Sequence, residues 1–344
     1  MPHIGPRDVT KFVAFGDSFA AGIPAGNPYT GGGTGSGNNT CSRFDGSYNV
    51  KLKNDPKVKA ANFDFLACSG ATAQDVQNNQ VPLLDQNADF ITVTMGGNNV
   101  GFGDIVNGCV YRFNGILAPD CDQVLNSTLA RINNNSDFLN PITNSLRAIM
   151  TRAPNAKVYV MGYPKFWNAT TTQCDNVSWN YWRTPGATKM TRAIRQRMND
   201  LLDAMNNKIS AAVQSLNNPR VTFFNYDAYF QGHRFCEGDV IEPQDISELR
   251  SNTFFYQIIT PPDFFTPNGW AGEFVSPFNP AKQYYDWIKA AKTASPNTPV
   301  NQIYAGQSTE TSASGEIPVW MAKIFHPTPE GHVAISHAIS GRIP

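Results

Sequence analysis

Apolar residues fall along this chain in two rhythms. Five short runs are apolar at most successive positions: Phe12–Phe15, Phe63–Leu66, Phe90–Met95, Val158–Met161 and Val221–Asn225. Such runs, bounded by Gly, Asn or Pro, predict strands buried on both faces. Between several of them the apolar positions recur at three- and four-residue steps. The clearest case spans about Ala187 to Leu216, where Met190, Ile194, Leu201, Met205, Ile209, Val213 and Leu216 mark one face of a helix that Asn217-Asn218-Pro219 ends. A second amphipathic segment, from about Asp137 to Arg152, precedes the Val158 run. Strands alternating with helices predict an α/β fold, a three-layer α/β/α sandwich around a five-stranded parallel sheet. No internal repeat is apparent, and residues 1–344 are expected to form a single domain with loop insertions.

Two regions depart from this rhythm. Gly31-Gly32-Gly33-Thr34-Gly35-Ser36-Gly37 never satisfies GxGxxG and joins no strand directly to a helix, so a surface loop is expected rather than a dinucleotide site. Residues from Asn252 to about Trp287 are crowded with Phe, Tyr, Trp and Pro. Aromatic density of that kind does not suit an exposed linker, and the insertion is expected to be either a cover over the sheet or a wall of a substrate cleft.

Composition narrows the classes. Lys and Arg together number 27, as do Asp and Glu, so no global field draws the chain to nucleic acid or an anionic surface. No apolar stretch approaches the roughly 20 residues that span a bilayer. The six cysteines, Cys41, Cys68, Cys109, Cys121, Cys174 and Cys236, show no CxxC spacing, which argues against a zinc site. Five N-x-S/T sequons, at Asn38, Asn126, Asn134, Asn168 and Asn176, join the even cysteine count in favouring an oxidising, secretory route and a glycoprotein. The opening MPHIGPRD lacks the apolar core of a signal peptide, and the expectation is a secreted, extracellular protein whose leader has been removed.

Candidate chemistry lies where predicted strands end. In an open parallel sheet, ligands bind outside the carboxyl ends of the strands. Ser18 follows the first strand at Gly16-Asp17-Ser18 and opens a small-residue helix start. It suits either a nucleophile, supplying both hydroxyl and backbone N–H, or an ordinary N-cap. After the second strand, Gly70 in Ser69-Gly70-Ala71 offers an unobstructed N–H. After the third, Gly96-Gly97-Asn98-Asn99 brings a side-chain amide to the same edge. Near the C-terminus, Phe325-His326-Pro327 precedes a last helix and supplies a loop histidine able to act as general base. Each feature also suits a plain turn or cap. His332 and His337 are expected to face the sheet or solvent from that last helix, and His233 to brace a loop. No HExxH or third ligand suggests a metal.

These four segments together resemble the SGNH (GDSL-type) hydrolase family, and the six cysteines with the Gly232-His233-Arg234-Phe235-Cys236-Glu237 run resemble its secreted branch of Streptomyces esterases and fungal relatives. The resemblance runs from residue 12 to residue 340 and implies a flavodoxin-like sheet. It implies carboxylic ester hydrolysis without a cofactor, through an acyl-enzyme at Ser18, with His326 as base and an oxyanion hole from Ser18, Gly70 and Asn98. It also implies the pairing Cys41–Cys68, Cys109–Cys121 and Cys174–Cys236, where sequence alone allows 15 arrangements. The substrate would be a small-molecule, lipid or carbohydrate ester; a lipase or phospholipase, a carbohydrate deacetylase, an acyltransferase and a silent binding module are the alternatives. A monomer is expected. Two positions depart from the family pattern. Lys323 stands where an acid usually orients the histidine, leaving its backbone carbonyl, or less directly Glu316, for that role. Asn99 stands where Asp is common, which puts local loop order in question.

Overall fold

In the computed structural model, the residues described are 9–31, 41–112, 119–180, 187–239, 242, 252–256, 258 and 325–343. Five parallel strands form the sheet: β1 Lys11–Gly16, β2 Asn62–Phe65, β3 Phe90–Thr94, β4 Lys157–Met161 and β5 Val221–Phe224. All five apolar runs are strands, with bounds that shift by one residue at most. Their order is β2-β1-β3-β4-β5, the doubly wound arrangement of flavodoxin-like sheets. The strands bury most of their side chains; Phe12, Val13, Ala14 and Phe15 of β1 are wholly inaccessible.

The helices are α1 Ser18–Ala21, α2 Tyr48–Lys53, α3 Ala73–Asp75, α4 Phe102–Ile105, α5 Cys121–Asn133, α6 Asn140–Arg152, α7 Arg192–Ser215 and α8 Pro329–Ser340. The long periodic segment is α7, and it starts at Arg192 rather than near Ala187. The Thr191 side chain caps it there by accepting from the Ile194 N–H, and Met190 is buried ahead of the helix. The Asp137–Arg152 segment begins with a π turn over Asn135–Leu139 and continues as α6. The helix predicted after Ser18 is a single turn, because Gly22 takes the left-handed conformation at φ 81° and closes it.

Disulfides join Cys41 to Cys68, Cys109 to Cys121 and Cys174 to Cys236. Among the described residues, no helix is long and apolar enough to cross a membrane. Of the sequons, Asn126, Asn134 and Asn176 are exposed. Asn168 is half-buried and its amide donates to Glu237 at 2.6 Å. Asn38 lies outside the described residues, as do Gly32–Gly37 and nearly all of the aromatic insertion.

Topology positions the site. The chain winds outward in opposite directions from β1 and β3, so the loops leaving these neighbouring strands part and open a crevice at their carboxyl ends. Register places Gly16 opposite Thr94. The Asp17-Ser18 turn and the Gly96–Asn99 loop therefore leave the sheet side by side.

Candidate active site

The Ser18 hydroxyl and the His326 Nε2 lie 2.6 Å apart, although 308 positions separate them in sequence. Ser18 is the first residue of α1. Asp17 caps that turn, one carboxylate oxygen accepting from the Phe19 N–H at 3.0 Å. Gly16 carries the chain round the corner with φ near +127°. A Cβ there would sit 2.2 Å from the Thr94 carbonyl oxygen, so only glycine lets the turn press against β3. Gln80, at the end of a π turn over Val76–Gln80, grips Gly16 from below. Its Oε1 accepts from the Gly16 N–H at 2.9 Å, and its Nε2 donates to the Gly16 carbonyl at 2.8 Å.

Gly70 and Asn98 line the same crevice as Ser18 and His326. Gly70 sits at φ 82°. Among the described residues, neither the Ser18 nor the Gly70 backbone N–H donates to a protein acceptor. Asn98 donates one amide hydrogen to the Ala71 carbonyl at 2.9 Å, which ties the third-strand loop to the second-strand loop; among the described residues its other amide hydrogen has no acceptor. Asn99 does what a carboxylate would do there. Its Oδ1 accepts from the Ala73 N–H at 2.8 Å, and its amide also donates to Gln74 at 2.7 Å. The loop is ordered by an amide in place of an acid.

His326 is 3 % exposed, its ring 5.0 Å from that of Phe19. The start of the aromatic insertion holds its loop. Phe255 bridges Pro327 in antiparallel fashion, the Tyr256 N–H donates to the His326 carbonyl at 3.1 Å, and the Thr328 N–H donates to the Phe254 carbonyl at 2.9 Å. Lys323 and Glu316, the two candidates for orienting the imidazole, lie outside the described residues. The other histidines stand apart. His332 is fully buried, its Nδ1 accepting from the Tyr48 N–H at 3.3 Å, and burial with Lys51 and His326 nearby lowers its pKa to about 3. His233 stacks on Phe254 at 3.8 Å and faces the Asn252 carbonyl. Among the described residues, no group of His, Cys, Asp and Glu could hold a metal ion.

Two residues of the site carry no signal in the sequence. Gln80 is one. Tyr163, two residues past β4, is the other: its hydroxyl donates to the second Asp17 carboxylate oxygen and accepts from the Gly97 N–H at 3.0 Å. Asp17 is 1 % exposed. Burial raises its pKa to about 7, opposed by hydrogen bonds from the Tyr163 hydroxyl and nearby backbone N–H groups.

From this polar edge a cavity of about 100 Å³ runs inward between helices. Its far walls are apolar: Phe102 of α4, Ile132 of α5, and Met198, Leu201, Leu202 and Met205 of α7. Periodicity identifies the α7 face as buried; it does not reveal that part of that face borders a void.

Comparison with known proteins places the chain in a family. Residues 14–243 match the model of the GDSL-like Lipase/Acylhydrolase family. Lipase 1 of Streptomyces coelicolor is 29 % identical over 238 residues, covering 68 % of this chain and 75 % of that protein. The crystal structure of phospholipase A1 from Streptomyces albidoflavus NA297 superposes with a TM-score of 0.55 at 25 % identity, covering 73 % of this chain and 93 % of that one. That of the extracellular lipase from Streptomyces rimosus gives a TM-score of 0.55 at 25 % identity, covering 72 % and 93 %. The chain belongs to the GDSL-like lipase/acylhydrolase family and is an ester hydrolase.

Proposed function

We propose that this hydrolase cleaves carboxylic esters of apolar acyl groups through a covalent intermediate at Ser18. The observation that carries the proposal is the 2.6 Å contact between Ser18 Oγ and His326 Nε2 at the mouth of an apolar cavity. His326 takes the hydroxyl proton as Oγ adds to the ester carbonyl carbon. The carbonyl oxygen becomes an oxyanion, met by the N–H groups of Ser18 and Gly70 and the second amide hydrogen of Asn98. As the C–O bond to the alcohol breaks, the imidazolium gives its proton to the departing oxygen. Water then repeats the sequence with the acyl-enzyme, releasing the acid and restoring Ser18. No cofactor enters these steps.

The apolar cavity favours an aliphatic acyl group over a sugar acetate, since burying methylenes contributes about 0.8 kcal/mol each. Lipid esters are thus the preferred substrate class. The printed names of the relatives, lipases and a phospholipase A1, point the same way. Three disulfides and an extracellular lipase among the relatives support a secreted protein.

Turnover of p-nitrophenyl esters from acetyl to long acyl chains, with Ser18→Ala and His326→Ala beside the unmodified protein, tests the proposal. Each substitution should lower kcat by about 10⁴-fold or more, and the unmodified protein should prefer longer chains to acetyl. Ser18→Ala retaining a tenth of the activity would remove the nucleophile assignment.

A further inference from the structure

Tyr163 touches both halves of the reactive edge. Its hydroxyl donates to Asp17, the cap of the turn that presents Ser18, and accepts from the Gly97 N–H, one residue before Asn98. Its ring meets Phe19 edge-on at 5.2 Å, and the Phe19 ring in turn lies against His326. Tyr163 is itself fixed by a pair of bonds to Asn206 of α7. The Tyr163 N–H donates to Asn206 Oδ1 at 2.9 Å, and Asn206 Nδ2 donates to the Tyr163 carbonyl at 2.8 Å. Gly162 makes that grip possible, because a Cβ there would lie 2.7 Å from Asn206 Oδ1.

The direction of these bonds matters. Both Asp17 oxygens act as acceptors, one from Phe19 and one from Tyr163. The Tyr163 hydroxyl therefore spends its only hydrogen on Asp17 and has a lone pair left for Gly97. Two chains of donors converge on Asp17: Gly97 N–H to Tyr163 O–H to one carboxylate oxygen, and Phe19 N–H to the other. They fix the spacing between the loop that carries Asn98 and the turn that carries Ser18. The Asp17 N–H also donates to the Thr94 carbonyl at 3.0 Å at the base of the two loops, and above it a buried tyrosine 146 positions from one partner and 66 from the other makes the side-chain link.

We infer that Tyr163 is a positioning residue for ester hydrolysis, holding the Asn98 loop at the distance from Ser18 that the oxyanion requires. This rests on the proposed roles of Ser18 and Asn98. Oxyanion donors act only when they sit at hydrogen-bond distance from the charge that develops, and a displacement of about 1 Å can cost 10²-fold in rate. A bulky phenyl group without its hydroxyl would fill the same space and leave the Gly97 N–H and one Asp17 oxygen without their shared partner.

The test is Tyr163→Phe, assayed on acetyl, butanoyl and octanoyl p-nitrophenyl esters. The expected result is a kcat lowered by about 10- to 100-fold by the same factor on all three esters, with KM changed by less than about twofold. Affinity for an alkylboronic acid, which forms a tetrahedral adduct on a serine oxygen, should fall by a similar factor. Tyr163 also borders the cavity. A role confined to shaping the pocket would instead act through KM and differ between acetyl and octanoyl esters, and that pattern would overturn the inference. So would a kcat within twofold of the unmodified protein.

Should Tyr163→Phe fail to fold, Asp17→Asn serves in its place. It keeps the shape of the cap but turns an acceptor toward Tyr163 into a donor. It should show the same uniform loss in kcat, and full activity would overturn the inference. An unmodified protein that is inert on all three esters, or a Ser18→Ala variant as active as its parent, would instead overturn the site assignment beneath it.

Discussion

The two ends of the cavity are built in opposite ways. At the sheet edge, Asp17, Gln80, Asn98, Asn99 and Tyr163 each direct a polar atom at a named partner, mostly a backbone group on another loop. At the helical end, α4, α5 and α7 contribute side chains that fill space without direction. Chemistry at a carbonyl needs donors within a few tenths of an ångström of one oxygen, and hydrogen bonds supply such geometry. An aliphatic chain needs only volume and dryness, which Met and Leu provide with tolerance for substitution. One end should therefore govern rate on every ester, and the other should govern which ester is preferred.

The largest contrast should come from Asn98→Ala. Removing one oxyanion donor lowers kcat by about 10²- to 10³-fold, and the factor should be equal for acetyl and octanoyl esters. The variant also loses the tie to Ala71, so a thermal melt should accompany the kinetics and show a folded protein. A rate above half that of the unmodified enzyme would mean that this edge is not organised around an oxyanion.

Filling the other end should separate the esters. Leu202 and Met205 lie one turn apart on α7 and both border the cavity. Leu202→Trp should lower kcat/KM for octanoyl esters by about 10- to 100-fold, on the scale of a few lost methylene contacts, while acetyl ester hydrolysis changes by less than about threefold. Equal losses on both would show that the helical end is part of the reactive geometry, and the division between the ends would fail.

The same division explains what the sequence discloses. Strands are legible because burial on both faces leaves continuous apolar runs, and their exact ends are not, because pairing to a neighbour such as Thr94 sets them. The Thr191 side chain sets the start of α7, whereas apolar periodicity alone extends the segment back past the buried Met190. Ser18, Gly70 and Asn98 stand out by residue type and strand-end position, and His326 by its residue type in a loop before the last helix. Gln80 and Tyr163 do not, since an isolated Gln or Tyr has no pattern and its partners lie 64 to 146 positions away. The cavity is invisible for a related reason: an apolar residue facing a void and one facing the core read alike.

The smallest effect belongs to the polar edge and its underside, and in the unmodified protein it should nearly vanish. Asp17 has its pKa raised by burial from 3.8 to about 7. Between these values the folded chain binds more protons than the unfolded one, so stability falls as pH rises across that window. His332 has its pKa lowered by burial from 6.5 to about 3. There the unfolded chain holds the extra proton, so stability rises with pH from about 3 to 6.5. The windows overlap from about pH 4 to 6.5, where the two slopes, each near 1.36 kcal/mol per pH unit, oppose one another. Urea unfolding at pH 4.5 and 6.5 should give these two groups almost no net contribution in the unmodified protein. Asp17→Asn should uncover a stability gain of about 2–3 kcal/mol on going to the higher pH, and His332→Asn a loss of similar size. Leu202→Trp, at the apolar end, should leave the profile parallel to that of its parent. If the Asp17 and His332 variants also ran parallel to the parent, neither group would be held away from its ordinary titration, and the polar edge would be wetter than its burial implies.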